Sequence, residues 1–221
     1  MTVPVPLVPL ALAAGAALIT GAAGVALRKR LGFTVKSNVA ILGADEVGKT
    51  TLLHFLRYGR ILAEVPPTVQ QSPGSTFTVA VDGEAKDFVV SHDLPGNDEP
   101  AFRSWKAAVR AADVVFYVFR ADLVAQEDKQ AETTVERHLE LIVGWLAASK
   151  RPDRRVILIG THIDLLPESA RASRQLKAAV LRSRPIKSHM VKLDDARLVL
   201  GSLSTTEAAS SLKAAIAGHL D

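Results

Sequence analysis

The sequence predicts an α/β domain in which helices cover both faces of a mostly parallel, six-stranded sheet, giving a three-layer sandwich. One observation behind this prediction is that short apolar runs typical of strands alternate with segments of helical periodicity from residue 38 onwards. Another is a glycine-bearing loop between the first apolar run and the first helical segment. The third is a long uncharged stretch ahead of both, which adds an N-terminal transmembrane helix to the prediction.

The individual elements follow from the spacing of the apolar residues. The predicted strands are 39–42, 76–81, 88–91, 114–119, 156–159 and 198–200. The predicted helices are 50–58, 99–111, 126–148, 169–183 and 205–219. Because the strands of such folds run parallel, their carboxyl ends meet at one edge of the sheet, and we expect the functional residues there.

The N-terminal stretch has the length and composition of a membrane anchor. Residues 3–27 carry no charge, and as a helix at ~1.5 Å per residue they would exceed the ~30 Å hydrocarbon core of a membrane. The basic cluster at 28–30 follows directly, and basic flanks mark the cytoplasmic side. A cleaved signal peptide would need its basic residues first, while a buried or surface helix would tolerate the prolines near the start. We therefore predict an anchor at 1–30, a linker at 31–36 and a cytoplasmic domain at 37–221.

The composition of the chain narrows the kinds of partner and of chemistry that we expect. The formal net charge of +4 comes from scattered basic residues without interleaved aromatic ones, so we expect no nucleic-acid partner. The absence of cysteine excludes disulfides, thiolate metal sites and thiol nucleophiles. Within the apolar stretch Ala13, Ala17 and Gly21 recur every fourth residue, a spacing that lets membrane helices pack closely and leaves homodimerisation open.

The phosphate-binding pattern G-x-x-x-x-G-K-[ST] is matched at every defined position by Gly43-Ala44-Asp45-Glu46-Val47-Gly48-Lys49-Thr50. In this pattern the glycines let backbone N–H groups surround the phosphates. The lysine, Lys49, reaches the β- and γ-phosphates, and the hydroxyl of Thr50 binds Mg²⁺. We therefore expect a nucleoside triphosphate with Mg²⁺ and assign these residues, together with Thr51, to its binding.

A second element, Asp93-Leu94-Pro95-Gly96, follows the predicted strand 88–91 and fits the pattern D-x-x-G. In this pattern the aspartate holds the Mg²⁺ shell and the glycine amide senses the γ-phosphate. The placement directly after a strand strengthens an assignment that rests on only two fixed residues.

Two further loops predict recognition of guanine. Thr161-His162-Ile163-Asp164 follows the strand 156–159, where Asp164 is placed to accept from the guanine ring N–H and exocyclic amine. Adenine offers neither donor in that arrangement, so this element favours GTP over ATP. The loop Gly201-Ser202-Leu203 follows the last strand and can donate backbone N–H groups to guanine O6.

The order of these elements resembles that of small GTPases of the translation-factor class, Ras-like and Arf-like, which have the P-loop NTPase fold. The resemblance extends from about residue 36 to the end. The Thr-His-Ile-Asp element is similar to the T-H-x-D of Roc-type domains. The anchor combined with Asp-Leu-Pro-Gly most resembles the Arf-related beta subunit of the signal recognition particle receptor and bacterial membrane-linked GTPases; the subfamily stays open.

The resemblance implies a switch I threonine that contacts Mg²⁺ and the γ-phosphate. Thr68 has the spacing from Thr50 that the family uses, and Thr76 is the alternative, although it also fits the start of a strand. The metal set implied is therefore Thr50, Thr68 and Asp93.

The sequence departs from this family in three places. Asn97 stands where Ras-like and Arf-like switches have the glutamine that orients the attacking water, so its shorter reach predicts slow intrinsic hydrolysis. His162 replaces the usual lysine along the phosphate loop and predicts modestly weaker nucleotide affinity. The interval between Asp164 and Gly201 is the third departure.

Two functions of different kinds follow. The first is a membrane-anchored GTPase switch with slow hydrolysis, a protein effector or regulator, and catalytic roles for Lys49, Thr68, Gly96 and Asn97. The second is a GTP-loaded module that hydrolyses little and recruits a soluble partner to the membrane. An ATP-using protein remains a third alternative if Asp164 does not face the base.

Overall fold

The computed structural model describes residues 36–61, 72–81, 84–96, 99–149, 154–171, 173–194 and 196–220. The predicted anchor and most of the predicted linker lie outside these ranges, as do Thr68 and Asn97. Within the described ranges, no helix combines the length and the apolar composition that crossing a membrane requires.

Within these described ranges, six strands form one sheet in the order β2-β3-β1-β4-β5-β6. Every neighbouring pair is parallel except β2 and β3, which are antiparallel. The predicted α/β class with a mostly parallel six-stranded sheet is therefore confirmed. The strands are β1 (Ser37–Leu42), β2 (Ser72–Val81), β3 (Glu84–Asp93), β4 (Val114–Arg120), β5 (Arg155–Thr161) and β6 (Arg197–Leu200).

The burial of each strand reflects its place in the sheet. The central strand β4 is buried along its whole length except at Arg120, as expected where helices cover both faces. The edge strand β2 instead alternates, with Phe77, Val79 and Val81 buried and the residues between them exposed. This alternation is typical of an antiparallel strand that has one face in water.

Seven α-helices lie in the described part of the chain. They are α1 (Lys49–Tyr58), α2 (Glu99–Ala111), α3 (Ala121–Ala125), α4 (Lys129–Ala147), α5 (Ser173–Arg182), α6 (Arg184–Lys192) and α7 (Thr206–Ala217). Two apolar cores form on opposite faces of the sheet because neighbouring residues of each strand point in opposite directions. In β1, Leu42 packs into the core beneath α2, α4, α5 and α6, whereas Ile41 packs into the core beneath α1 and α7.

Two predicted helices have different boundaries in the structure. The helix predicted at 126–148 begins at Lys129, because the Asp128 side chain caps it by accepting from the amide of Ala131 at 2.8 Å, and the short helix α3 precedes it. The helix predicted at 169–183 is replaced by a 3₁₀ turn at Glu168–Ala170 followed by α5.

Among the described residues, two α-helices form where the sequence patterns predicted no helix, α3 at Ala121–Ala125 and α6 at Arg184–Lys192. No element was predicted at 184–197, where α6 forms with a proline in its first turn, a position at which proline needs no amide hydrogen. Ile186 and His189 lie one helical turn apart and are both buried, so packing fixes this short helix against the core.

Candidate functional site

The phosphate loop joins β1 to α1 through backbone conformations that suit glycine. Gly43 has φ +151°, Glu46 has φ +60° and Gly48 has φ +90°. A Cβ atom on Gly43 would collide with the carbonyl oxygen of Val118 in the neighbouring strand β4. The first glycine is therefore required by close packing against the sheet as well as by its torsion angle.

Lys49 begins α1 and lies beneath the loop. Its Nζ donates a 2.6 Å hydrogen bond to the carbonyl oxygen of Ala44, so the side chain reaches back along the loop. Burial lowers the pKa of Lys49, while the nearby carboxylates of Asp45 and Asp93 act in the opposite direction. The arrangement places a buried amine where phosphates bind in such loops.

Two of the three residues predicted to bind Mg²⁺, Thr50 and Asp93, are in contact. The hydroxyl of Thr50 donates to Oδ2 of Asp93 at 3.0 Å, which joins the start of α1 to the end of β3. A hydroxyl and a carboxylate are hard oxygen donors, and Mg²⁺ typically takes one or two protein oxygens beside those of a phosphate and water. The donor set therefore fits Mg²⁺, which Thr50 and Asp93 would hold.

Of the two candidates for the switch I threonine, only Thr76 lies among the described residues. Thr76 lies within β2, where it is exposed and pairs with Val89 of β3. Thr68 lies outside the described residues. The predicted role of a switch I threonine stays a prediction.

The D-x-x-G loop packs directly on the phosphate loop. The amide of Gly96 donates a 2.9 Å hydrogen bond to Oδ1 of Asp45. A Cβ atom on Gly96 would collide with that carboxylate and with the backbone of Ala44, so only glycine permits this approach. The indole of Trp105 on α2 donates to the carbonyl oxygen of Pro95 at 2.9 Å and ties the same loop to the following helix.

The elements predicted to recognise the base meet at the ends of β5 and β6. The hydroxyl of Ser202 donates to Oδ1 of Asp164 at 2.5 Å, and the amide of Ser204 donates to the Ser202 oxygen at 3.0 Å. Arg171 donates to the backbone carbonyl of Asp164 at 2.7 Å. These contacts hold the Asp164 carboxylate in one orientation.

The residues predicted to recognise the base lie beside the phosphate loop. Thr161 is fully buried, and its hydroxyl lies 2.8 Å from the carbonyl oxygen of Val47. A Cβ atom on Gly48 would lie 3.1 Å from Leu203 and 3.9 Å from the ring of His162. His162 thus packs beside the loop, in the place predicted for it, and burial followed by the Arg120 charge lowers its pKa.

Arg120 is a residue that the sequence patterns missed. It ends β4 at the edge where the other loops meet, and its guanidinium makes paired hydrogen bonds of 2.7 and 2.5 Å with the buried carboxylate of Asp122. Burial alone would raise the pKa of Asp122, but the hydrogen bonds and charge of Arg120 lower it overall. The signal that could have identified Arg120 is its position directly after a continuous apolar run.

A glycine-rich phosphate loop, a neighbouring D-x-x-G loop and a carboxylate at the end of β5 together define a P-loop nucleotide-binding domain of the GTPase class. The family described as 50S ribosome-binding GTPase matches residues 38–150, which include the phosphate loop and the D-x-x-G loop. The chain belongs to this GTPase family. The expectation of a GTPase domain is confirmed, whereas Asp164 and Ser202 lie beyond the matched residues.

Proposed function

We propose that this chain is a membrane-anchored GTPase switch that binds GTP with Mg²⁺ and hydrolyses it slowly, with its nucleotide-binding domain on the cytoplasmic side. The observation that carries the choice of guanine is the 2.5 Å contact that orients Asp164 against Ser202, beside the phosphate loop. A fixed carboxylate accepts hydrogen bonds from the two donors on the guanine edge. Asp164 is partly buried, and adenine would leave its carboxylate without these two partners, which penalises ATP.

In this proposal the phosphate side of the site stabilises charge. Lys49 donates to the β- and γ-phosphates in place of its contact with Ala44, and the amide of Gly96 binds the terminal phosphate. Mg²⁺, when bound by Thr50 and Asp93, neutralises charge that develops on the phosphate oxygens. Thr68 completes the metal site, and Asn97 orients water less well than a glutamine would.

The anchor at 3–27 and its basic flank support the membrane part of the proposal. The same anchor together with Asp-Leu-Pro-Gly supports placement near the Arf-related receptor beta subunit among small GTPases. If the anchor is correct, the full chain stays in the membrane fraction after an alkaline carbonate wash. Release of the chain into the supernatant would refute it.

Asn97 favours a second function, that of a GTP-loaded module that recruits a soluble partner to the membrane. The two functions differ in the nucleotide that copurifies with the full chain. A working switch carries mostly GDP because it turns over, whereas a recruitment module retains GTP.

The central test is single-turnover GTP hydrolysis by the full chain with Mg²⁺, beside the variant Asn97→Gln. We expect slow turnover in the parent, faster turnover in the variant, and competition for binding by unlabelled GTP but not by ATP. Equal competition by ATP would refute the guanine assignment. A parent rate matching that of a fully activated GTPase would refute slow hydrolysis.

A further inference from the structure

Asp45 contacts the loop that, in the proposed function, senses the third phosphate. The Asp45 carboxylate accepts the amide hydrogen of Gly96 at 2.9 Å, and Gly96 is buried against the backbone of Ala44 and Asp45. A buried amide requires an acceptor, and an ionised carboxylate is a strong one. The contact therefore fixes the D-x-x-G loop on the phosphate loop.

An amide has a single hydrogen, so two anionic acceptors compete for it. In the proposed function, the γ-phosphate is the acceptor for Gly96 when GTP is bound. The carboxylate of Asp45 holds the same donor in the structure, and its negative charge opposes a phosphate in that position. GDP has no γ-phosphate and leaves the contact undisturbed.

The carboxylate of Asp45 is also able to move away from the amide of Gly96. Its side chain is exposed to solvent, so a carboxylate displaced from Gly96 is hydrated and incurs no burial penalty. The contact is therefore one that a ligand can displace, and displacing it adds a cost to the binding of GTP alone.

We propose that Asp45 is a specificity-determining residue that shifts the preference of this site from GTP towards GDP, by holding the Gly96 amide in competition with the γ-phosphate. This inference rests on the proposed function, because it takes Gly96 as the γ-phosphate sensor. It concerns equilibrium binding, so it does not depend on the rate of hydrolysis.

The test is equilibrium binding of GDP and of a non-hydrolysable GTP analogue to the full chain with Mg²⁺. The variants are Asp45→Ala, which removes the acceptor and its charge, and Asp45→Asn, which retains an oxygen acceptor without the charge. The matched control is Asp128→Asn. Asp128 lines the same cavity of about 340 Å³ as Asp45, and asparagine caps α4 as well as aspartate does.

We expect the parent to bind GDP at least about tenfold more tightly than the GTP analogue, since one donor is contested by two anions. Asp45→Ala should narrow this ratio by about tenfold, and Asp45→Asn by less, because the asparagine oxygen still competes. Asp128→Asn should leave the ratio within about twofold of the parent. Retained GDP affinity shows that each variant is folded.

An unchanged ratio in Asp45→Ala, with both nucleotides still bound, would overturn this inference and leave the proposed function intact. A parent chain that binds neither nucleotide would overturn the proposed function, and the inference with it. A ratio that shifts equally in Asp128→Asn would show that general charge is responsible and would also overturn the role of the Asp45 contact.

Discussion

His138 on α4 gives the domain a pH dependence whose sign and size follow from its surroundings. Its ring is buried, lies 4.9 Å from the ring of Trp105 and places Nδ1 3.2 Å from the hydroxyl of Tyr117. Burial, followed by the charges of Arg137 and Lys49, lowers the pKa of His138 from 6.5 to about 4. The folded domain therefore holds this imidazole neutral at pH 7.

Protonation of His138 destabilises the folded state. The unfolded chain binds this proton near pH 6.5, whereas the folded chain binds it only near pH 4, so the unfolded state carries more protons between these values. Stability is then complete above pH 6.5, falls as the pH decreases, and reaches its full loss below pH 4. At 1.36 kcal/mol per pKa unit, the loss is about 3 kcal/mol.

The measurement is urea unfolding of the full chain between pH 4 and pH 7.5, for the parent and for His138→Gln. Glutamine keeps a polar group beside Tyr117 but does not titrate, so the variant is expected to show a shallower pH dependence even if its stability is lower at every pH. The difference between the two slopes isolates His138. NMR titration of the histidine rings provides an independent value. Identical pH slopes in both chains, or a measured His138 pKa near 6.5, would refute the reasoning.

Three further substitutions test the site. Trp105→Phe should lower the free energy of unfolding by about 1–2 kcal/mol because it removes the indole donor to Pro95; urea midpoints equal to the parent's would contradict this. Gly43→Ala should cost more than about 3 kcal/mol, since its Cβ atom collides with Val118 and its φ of +151° is strained, and thermal unfolding would detect it. Asp164→Ala should reduce the preference for GTP over ATP by at least about tenfold in a competition assay, and an unchanged preference would place the guanine contact elsewhere.

The structure contains the strands that long, continuous apolar runs predicted. Continuous apolar runs identified β4 and β5 because strands covered on both faces have no polar positions. The start of α4 was placed too early because residues 126–128 are all polar, so apolar spacing does not distinguish the Asp128 cap from the residues before it. Helix α6 was not predicted, although its Pro185 lies in the first turn, where proline is well tolerated.

The candidate site was predictable as a set of loops, but not as a set of contacts. Motif spacing identified the phosphate loop, Asp93, Gly96 and Asp164, since each follows a strand. No sequence pattern indicated the contact between Asp45 and Gly96, because it joins two loops whose separation depends on the order of the strands. Sequence patterns specify strands one at a time and leave that order open.

Strand order explains which of these loops meet. Because β1 lies between β3 and β4, the phosphate loop that follows β1 has the D-x-x-G loop on one side and Arg120 on the other. In the same way, the pairing of β5 with β6 brings Ser202 to Asp164, although α5 and α6 separate them in sequence. The interval between Asp164 and Gly201 thus contains helices that cover one face of the sheet. The two ends of the interval lie close together because β5 and β6 are neighbouring strands. The interval between Asp164 and Gly201 is therefore compatible with contact between the loops that follow β5 and β6, because strand pairing rather than chain length brings Ser202 to Asp164.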